Sequence, residues 1–203
     1  MSAPSPHRLA AVRVLVEGRS DAVVVENLLR THGLVQARVE VMDGVTNIER
    51  ELTRLASTAP GAEVCGLYDA AEERFVRRAL ARRGIRADDR ADLARAGFFT
   101  CDADLEDELI RALGTDVVEE AVAELGELPR LRTFQRQPEW RGRSTAAQLR
   151  RFAGAASGRK ERLATALAGR LTPATTPAPL ARLVRYVAVS VAIDDCADDP
   201  AAR

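Results

Sequence analysis

The chain has 203 residues, 46% of them hydrophobic, enough to bury one substantial core, and its length favours one domain with room for a small second one. Its 30 basic and 30 acidic side chains cancel to a formal net charge of zero, so binding to a polyanion would depend on local basic surface and a bridging cation. No apolar run reaches the roughly 20 residues of a membrane span, and Met1 to His7 lacks the apolar core of a signal peptide. Cys65, Cys101 and Cys196 have no metal-ligand spacing and read as reduced thiols, so the expectation is a soluble cytoplasmic protein without a membrane partner.

In chain order, residues 1–9 read as a disordered tail. Val12 to Val16 is a short apolar strand bounded by Gly18, and Ser20 is the predicted N-cap of a helix carrying Val23, Val24, Leu28 and Leu29 and closed by Gly33. Val35 to Met42 alternates as a second strand, with Gly44 and Asn47 marking the turn into a helix over Ile48 to Ser57. After Pro60-Gly61, Val64 to Tyr68 gives a third strand ended by Asp69, then an amphipathic helix over Glu72 to Arg83 closed by Gly84. Residues 85–96 are charged and read as a loop or short turn before a fourth strand, Gly97 to Cys101, and the helix Leu105 to Leu113. Four βα units imply a parallel, helix-covered sheet.

Beyond Gly114 the pattern is helical: Val117 to Leu125, a looser stretch through Trp140, then Ala146 to Ala153 and Arg159 to Leu171. Thr172 to Pro179 reads as a stiff linker. Leu180 to Ile193 is expected to be a helix packing back on the domain, although Val184 to Val191 is valine-rich enough for a strand; the tail from Asp194 reads as disordered.

The chemistry concentrates at strand ends. Glu17 and Asp21 stand four apart across the first strand-to-helix turn, Asp69 ends the third strand, and Asp104, Glu106 and Asp107 follow the fourth. Open α/β sheets hold ligands at the C-terminal ends of their strands. Hard cations such as Mg²⁺ and Mn²⁺ take carboxylate and water oxygens, and cleavage of a phosphodiester by two metals needs several carboxylates on one face. The same acids are also ordinary helix-start caps, and spacing alone leaves both readings open.

The stretch Val14-Leu-Val-Glu17-Gly-Arg-Ser-Asp21, the strand ending at Asp69 and the segment Asp104-Leu-Glu-Asp-Glu-Leu-Ile110 together resemble the topoisomerase-primase (TOPRIM) domain. More narrowly, they are similar to the TOPRIM half of the overcoming-lysogenisation-defect (OLD) nucleases, over about residues 10 to 170. The resemblance implies an α/β fold, a Rossmann-like TOPRIM parallel sheet of about four strands flanked by helices over 10–114. It also implies a helical extension over 115–171 that completes the site, followed by a linker, terminal helix and tail over 172–203. It further implies Mg²⁺ or Mn²⁺ dependence and cleavage of nucleic-acid phosphodiesters by metal-activated water, with DNA expected before RNA. Glu17, Asp21, Asp69 and Glu106 would then be metal ligands with Asp104 beside them, and Glu17, Asp69 and Lys160 would carry catalysis. Lys160 enters because Gly158 to Ala164 resembles the basic segment that follows the OLD acidic motifs; its plain alternative is a solvated helix start.

TOPRIM domains usually carry Asp-x-Asp at the third strand end, whereas this chain has Ala71 at the second acidic position. Glu72, one residue on, either substitutes through its longer side chain or is a first-turn helix acid. No G-x-x-x-x-G-K-[ST] phosphate loop occurs, so no ATP is expected to bind, and the reading is either a free-standing TOPRIM protein or a half that works with a separately encoded ATPase. Residues 130–151 hold seven arginines with Phe134 and Trp140 between them, which fits either a backbone-tracking surface or a solvated helix face. Arg141, Arg143 and Lys160 are the candidate nucleic-acid contacts, and an oligomer is compatible with the sequence. With only His7 and His32, histidine catalysis and a zinc site have little support. The competing classes are a catalytically degenerate module that binds nucleic acid or an ATPase, and a receiver-like phospho-acceptor using Asp21, Asp69 and Lys160.

Overall fold

Strand β1, Val12–Val16, has four of its five residues fully or almost fully shielded from solvent, as a central strand covered on both faces must be. It lies inside a four-stranded sheet of order β2-β1-β3-β4, with β2 at Ala37–Val41, β3 at Glu63–Asp69 and β4 at Phe98–Cys101. Every pairing is parallel, with Val14 opposite both Val39 and Cys65, and Asp69 opposite Cys101. The computed structural model describes residues 12–156 and 158–197. The disordered tail expected over 1–9 lies outside the described residues, as does the chain beyond Ala197.

Alternation along the strands sorts the core into two layers. Leu15, Tyr68 and Phe98 face helices α2 (Ile48–Thr58), α3 (Glu73–Ala81) and α4 (Arg90–Arg95), packing with Leu52, Leu55, Val76, Leu80 and Leu93. Val14, Val16, Cys65, Leu67 and Phe99 face the other way. There they join one apolar cluster with residues of α1 (Arg19–Thr31), α5 (Leu105–Leu113), α6 (Thr115–Glu124), α8 (Thr145–Ala153), α9 (Arg159–Ala168) and α10 (Ala178–Ala197). Helix α7, Leu128–Gln135, contributes Leu131 to this second layer. Gly66 sets the spacing between β1 and β3, because a Cβ there would lie 2.9 Å from the Leu15 carbonyl oxygen and 3.2 Å from the Phe98 ring.

Several boundaries differ from expectation for physical reasons. The N-cap of α1 is Gly18, not Ser20, which is buried in the first turn; the Asp21 carboxylate accepts the Gly18 N–H at 2.9 Å and closes that turn. Residues 85–96 hold a helix rather than only a loop: α4 starts at a capping box in which Asp89 accepts from Asp92 N–H at 2.8 Å. The looser stretch before Trp140 contains α7. Leu180 to Ile193 is helical as favoured, since Leu180, Leu183, Val184, Val187 and Val191 are buried at spacings of three and four that put them on one stripe. That helix runs on to Ala197.

Candidate metal centre

Sheet order places the site. The chain crosses from β1 to β2 on one side and then to β3 on the other, which makes the crevice beyond the ends of β1 and β3 the point where direction reverses. Glu17 leaves the end of β1 there and Asp69 is the last residue of β3. The main chain at Glu17 is held from the β2 side, where Gly44 N–H donates to its carbonyl at 3.1 Å and Met42 N–H donates to that of Val16 at 2.9 Å. The turn that makes this contact carries Asp43 in the left-handed region (φ 54), and the Asn47 side-chain amide donates to the Met42 and Asp43 carbonyls at 2.9 and 3.0 Å.

A 3-10 turn, Ala70–Glu72, follows Asp69 immediately and swings Glu72 back over the strand end. Ligand oxygens of Glu17, Asp69 and Glu72 all lie within 4.8 Å of one another. Burial, the neighbouring Glu17 carboxyl and the Asp21 charge push the Glu72 carboxyl up to about 7. Burial, reinforced by the carboxylates of Asp21, Glu17, Asp104 and Glu72, pushes Asp69 up to about 8. One Glu72 oxygen is buried with no hydrogen-bond partner.

The other sequence-selected acids stand beside this trio and are engaged differently. Asp21 is mostly buried; burial raises its pKa, against the opposing pull of Lys160 and the Gly18 N–H. Asp104 caps α5 by accepting Asp107 N–H at 2.8 Å, and its second oxygen accepts the Arg150 Nε–H at 2.7 Å. Glu106 is 6% exposed and meets Lys160 Nζ at 3.1 Å through one oxygen, while its other oxygen is buried without a partner. Burial raises Glu106, and Lys160 opposes that rise. For Lys160, burial acts downward, but the carboxylates of Glu106, Asp21 and Asp104 outweigh it and the net shift is upward. Asp21 and Asp104 each close a helix turn, as helix-start caps do, and each also adds to the field at Asp69.

These residues fit a hard divalent cation. Three carboxylates within reach of one another, two of them raised by mutual repulsion and burial, and orphaned oxygens on Glu72 and Glu106, are groups whose charged forms a cation would stabilise. Glu72 is the member that the sequence-selected ligand set leaves out; the signal for it was the acid one position past Ala71, and what brings it in is the 3-10 turn. Arg141 and Arg143 are exposed in the turn ahead of α8, and neither lines the groove beside Glu106. That groove, of about 510 Å³, is lined by Asp104, Glu106, Trp140, Arg150, Arg151 and Lys160, among others.

No protein-family model and no curated protein matches the chain. Among solved structures, the C-terminal region of the Burkholderia pseudomallei OLD protein is similar with a TM-score of 0.63 at 20% sequence identity, covering 90% of this chain and 98% of that one. The C-terminal region of the Xanthomonas campestris pv. campestris OLD protein is similar with a TM-score of 0.69 at 19% identity, covering 92% of this chain and 96% of that one. The chain therefore has the α/β, TOPRIM-like fold of the C-terminal region of OLD proteins.

Proposed function

We propose that the chain is a divalent-metal-dependent nuclease that cleaves phosphodiester bonds, in DNA before RNA. The observation that carries this is the convergence of Glu17, Asp69 and Glu72 at the reversal point of the sheet, inside a wider field of Asp21, Asp104 and Glu106. Glu17, Asp69 and Glu72 would hold one Mg²⁺ or Mn²⁺, and Asp21, Asp104 and Glu106 are the acids available for a second. When bound, such an ion supplies Lewis acidity at the phosphate and lowers the pKa of water at the site.

The chain's own residues do the rest. Lys160, kept protonated by its acidic neighbours, is the cation that would offset charge gathering on the phosphate oxygens, and Glu106 holds it in place at 3.1 Å until substrate competes for it. Arg150, in the last turn of α8, fixes the Asp104 carboxylate. Because Lys160 and Arg150 come from α9 and α8, the helical segment 115–171 completes a site that the sheet domain 10–114 begins. Arg141 and Arg143 are candidate contacts farther along the nucleic-acid backbone. A separately encoded ATPase partner and a cytoplasmic setting belong to the same reading.

The test is nicking of supercoiled plasmid in Mg²⁺ or Mn²⁺. Wild type should nick it, and Glu17→Ala and Asp69→Asn should not while keeping the wild-type circular dichroism spectrum. A wild type that leaves DNA and RNA intact under both ions would leave the degenerate binding module as the better account.

A further inference from the structure

The groove beside Glu106 holds an aromatic residue placed unlike a core residue. Trp140, the chain's one tryptophan, is half-buried and stacks on Phe134 with ring centroids 5.0 Å apart and planes 28° apart. Phe134 is itself braced by Phe152 at 5.7 Å. The Trp140 main chain is tied down as well, since the buried Gln148 amide donates to its carbonyl at 2.8 Å. Trp140 is therefore held by a stack on its ring and by its own backbone, and the residue lines the groove. Small residues, Ala147 and Gly154, line the same groove, whose volume falls in the range of about 300–1,000 Å³ typical of small-ligand sites.

The groove lining carries both signs of charge. Asp104, Glu106 and Lys160 in its lining belong to the acidic field around Asp21 and Asp69, and Arg150 is spent on Asp104. Arg151 is exposed and makes no ion pair among the described residues. An indole braced on one face beside an unpaired guanidinium is the pair of contacts that an unstacked nucleotide uses: the ring takes the base and the cation takes the phosphate. A base inside a duplex has both faces covered by its neighbours and cannot offer one to the indole.

We propose that this groove binds one unpaired nucleotide of a single-stranded nucleic acid next to the reacting phosphodiester, its base stacked on Trp140 and its phosphate on Arg151. The inference deepens the nuclease reading and rests on it for the position of the reacting phosphate, but its test reads binding alone.

With one tryptophan in the chain, indole emission reports on the groove directly. Oligothymidylate of about 12 nucleotides, within the span of known single-strand sites, is titrated in Ca²⁺ and checked for integrity by gel. Saturable quenching by the single strand, with none from a blunt duplex of equal length, is the expected result. Anisotropy of a labelled strand should show Trp140→Ala weakening binding by roughly five- to 150-fold, the range for loss of one base stack, with Trp140→Phe retaining most of it. Gly154→Leu should fill the groove with a similar loss and an unchanged melting curve, because a Cβ at Gly154 meets nothing closer than 3.9 Å. Binding seen by anisotropy with unchanged emission, equal quenching by duplex, or no binding of any oligonucleotide would each overturn the proposal. Quenching that behaves as expected in a protein that never nicks plasmid would uphold the groove and sink the nuclease reading instead.

Discussion

The raised acids at the crevice make cation affinity steeply dependent on pH. Asp69 holds its proton to about pH 8 and Glu72 to about pH 7, and a hard cation takes only the deprotonated oxygens. Below pH 6 the ion must displace both protons, so apparent affinity should climb a few hundredfold between pH 6 and pH 8; solvent screening at the partly exposed crevice brings this to about a hundredfold. About two protons should be released per ion at pH 6 and almost none at pH 9. The sign for stability is the reverse in the ion-free protein. The unfolded chain gives up these protons near pH 4 and the folded chain keeps them to pH 7 or 8, so the folded state binds more protons in that window and stability falls as pH rises through it. Calorimetric titration of Mn²⁺ in two buffers of different ionisation enthalpy measures affinity and proton release together, and thermal melts in a chelator measure the stability trend. An affinity that changes less than threefold across this range, with no proton release at pH 6, would refute the idea that burial and repulsion at Asp69 and Glu72 store the demand for a cation.

Glu72→Gln keeps the shape of the side chain but removes one charge, and should weaken Mn²⁺ binding by about tenfold or more; an unchanged dissociation constant would put Glu72 outside the ligand set. Lys160→Met leaves Glu106 buried with neither oxygen paired, and should lower kcat by about 10²- to 10³-fold, as loss of a transition-state cation does; a kcat within threefold of wild type would assign Lys160 to the solvated helix start. Glu127→Ala should lower stability by about 3 kcal/mol in urea unfolding. The reason is that Glu127 is buried and accepts from Arg159 Nε and one terminal nitrogen at 3.2 and 3.0 Å, so its loss strands a guanidinium that is itself 8% exposed. A loss under 1 kcal/mol would mean that the arginine finds water instead.

The βα units were legible because their strands are short apolar runs ended by glycine or an acid, and because α1, α2 and α5 are long enough to show a periodic apolar stripe. Helix α4 was not, having six residues with Leu93 as its one buried side chain, although the Asp89 and Asp92 pair was there to be read as a cap. Helix α7 likewise buries Leu131 alone. Of the site, the strand-end acids could be picked from the sequence because type and order carry them. Which acids bring their oxygens together could not, because that depends on the 3-10 turn after Asp69 and on the β1–β3 adjacency that Gly66 permits. The pairing of Lys160 with Glu106 joins distant segments through the packing of α9 on α1, which no local pattern encodes.

The most direct measurement of the central claim is Mn²⁺ titration of wild type and Glu17→Ala with nicking of supercoiled plasmid followed in the same samples. Wild type should bind the ion and nick the plasmid, and the variant should do neither. Binding without nicking in wild type, or nicking that survives in Glu17→Ala, would contradict the claim.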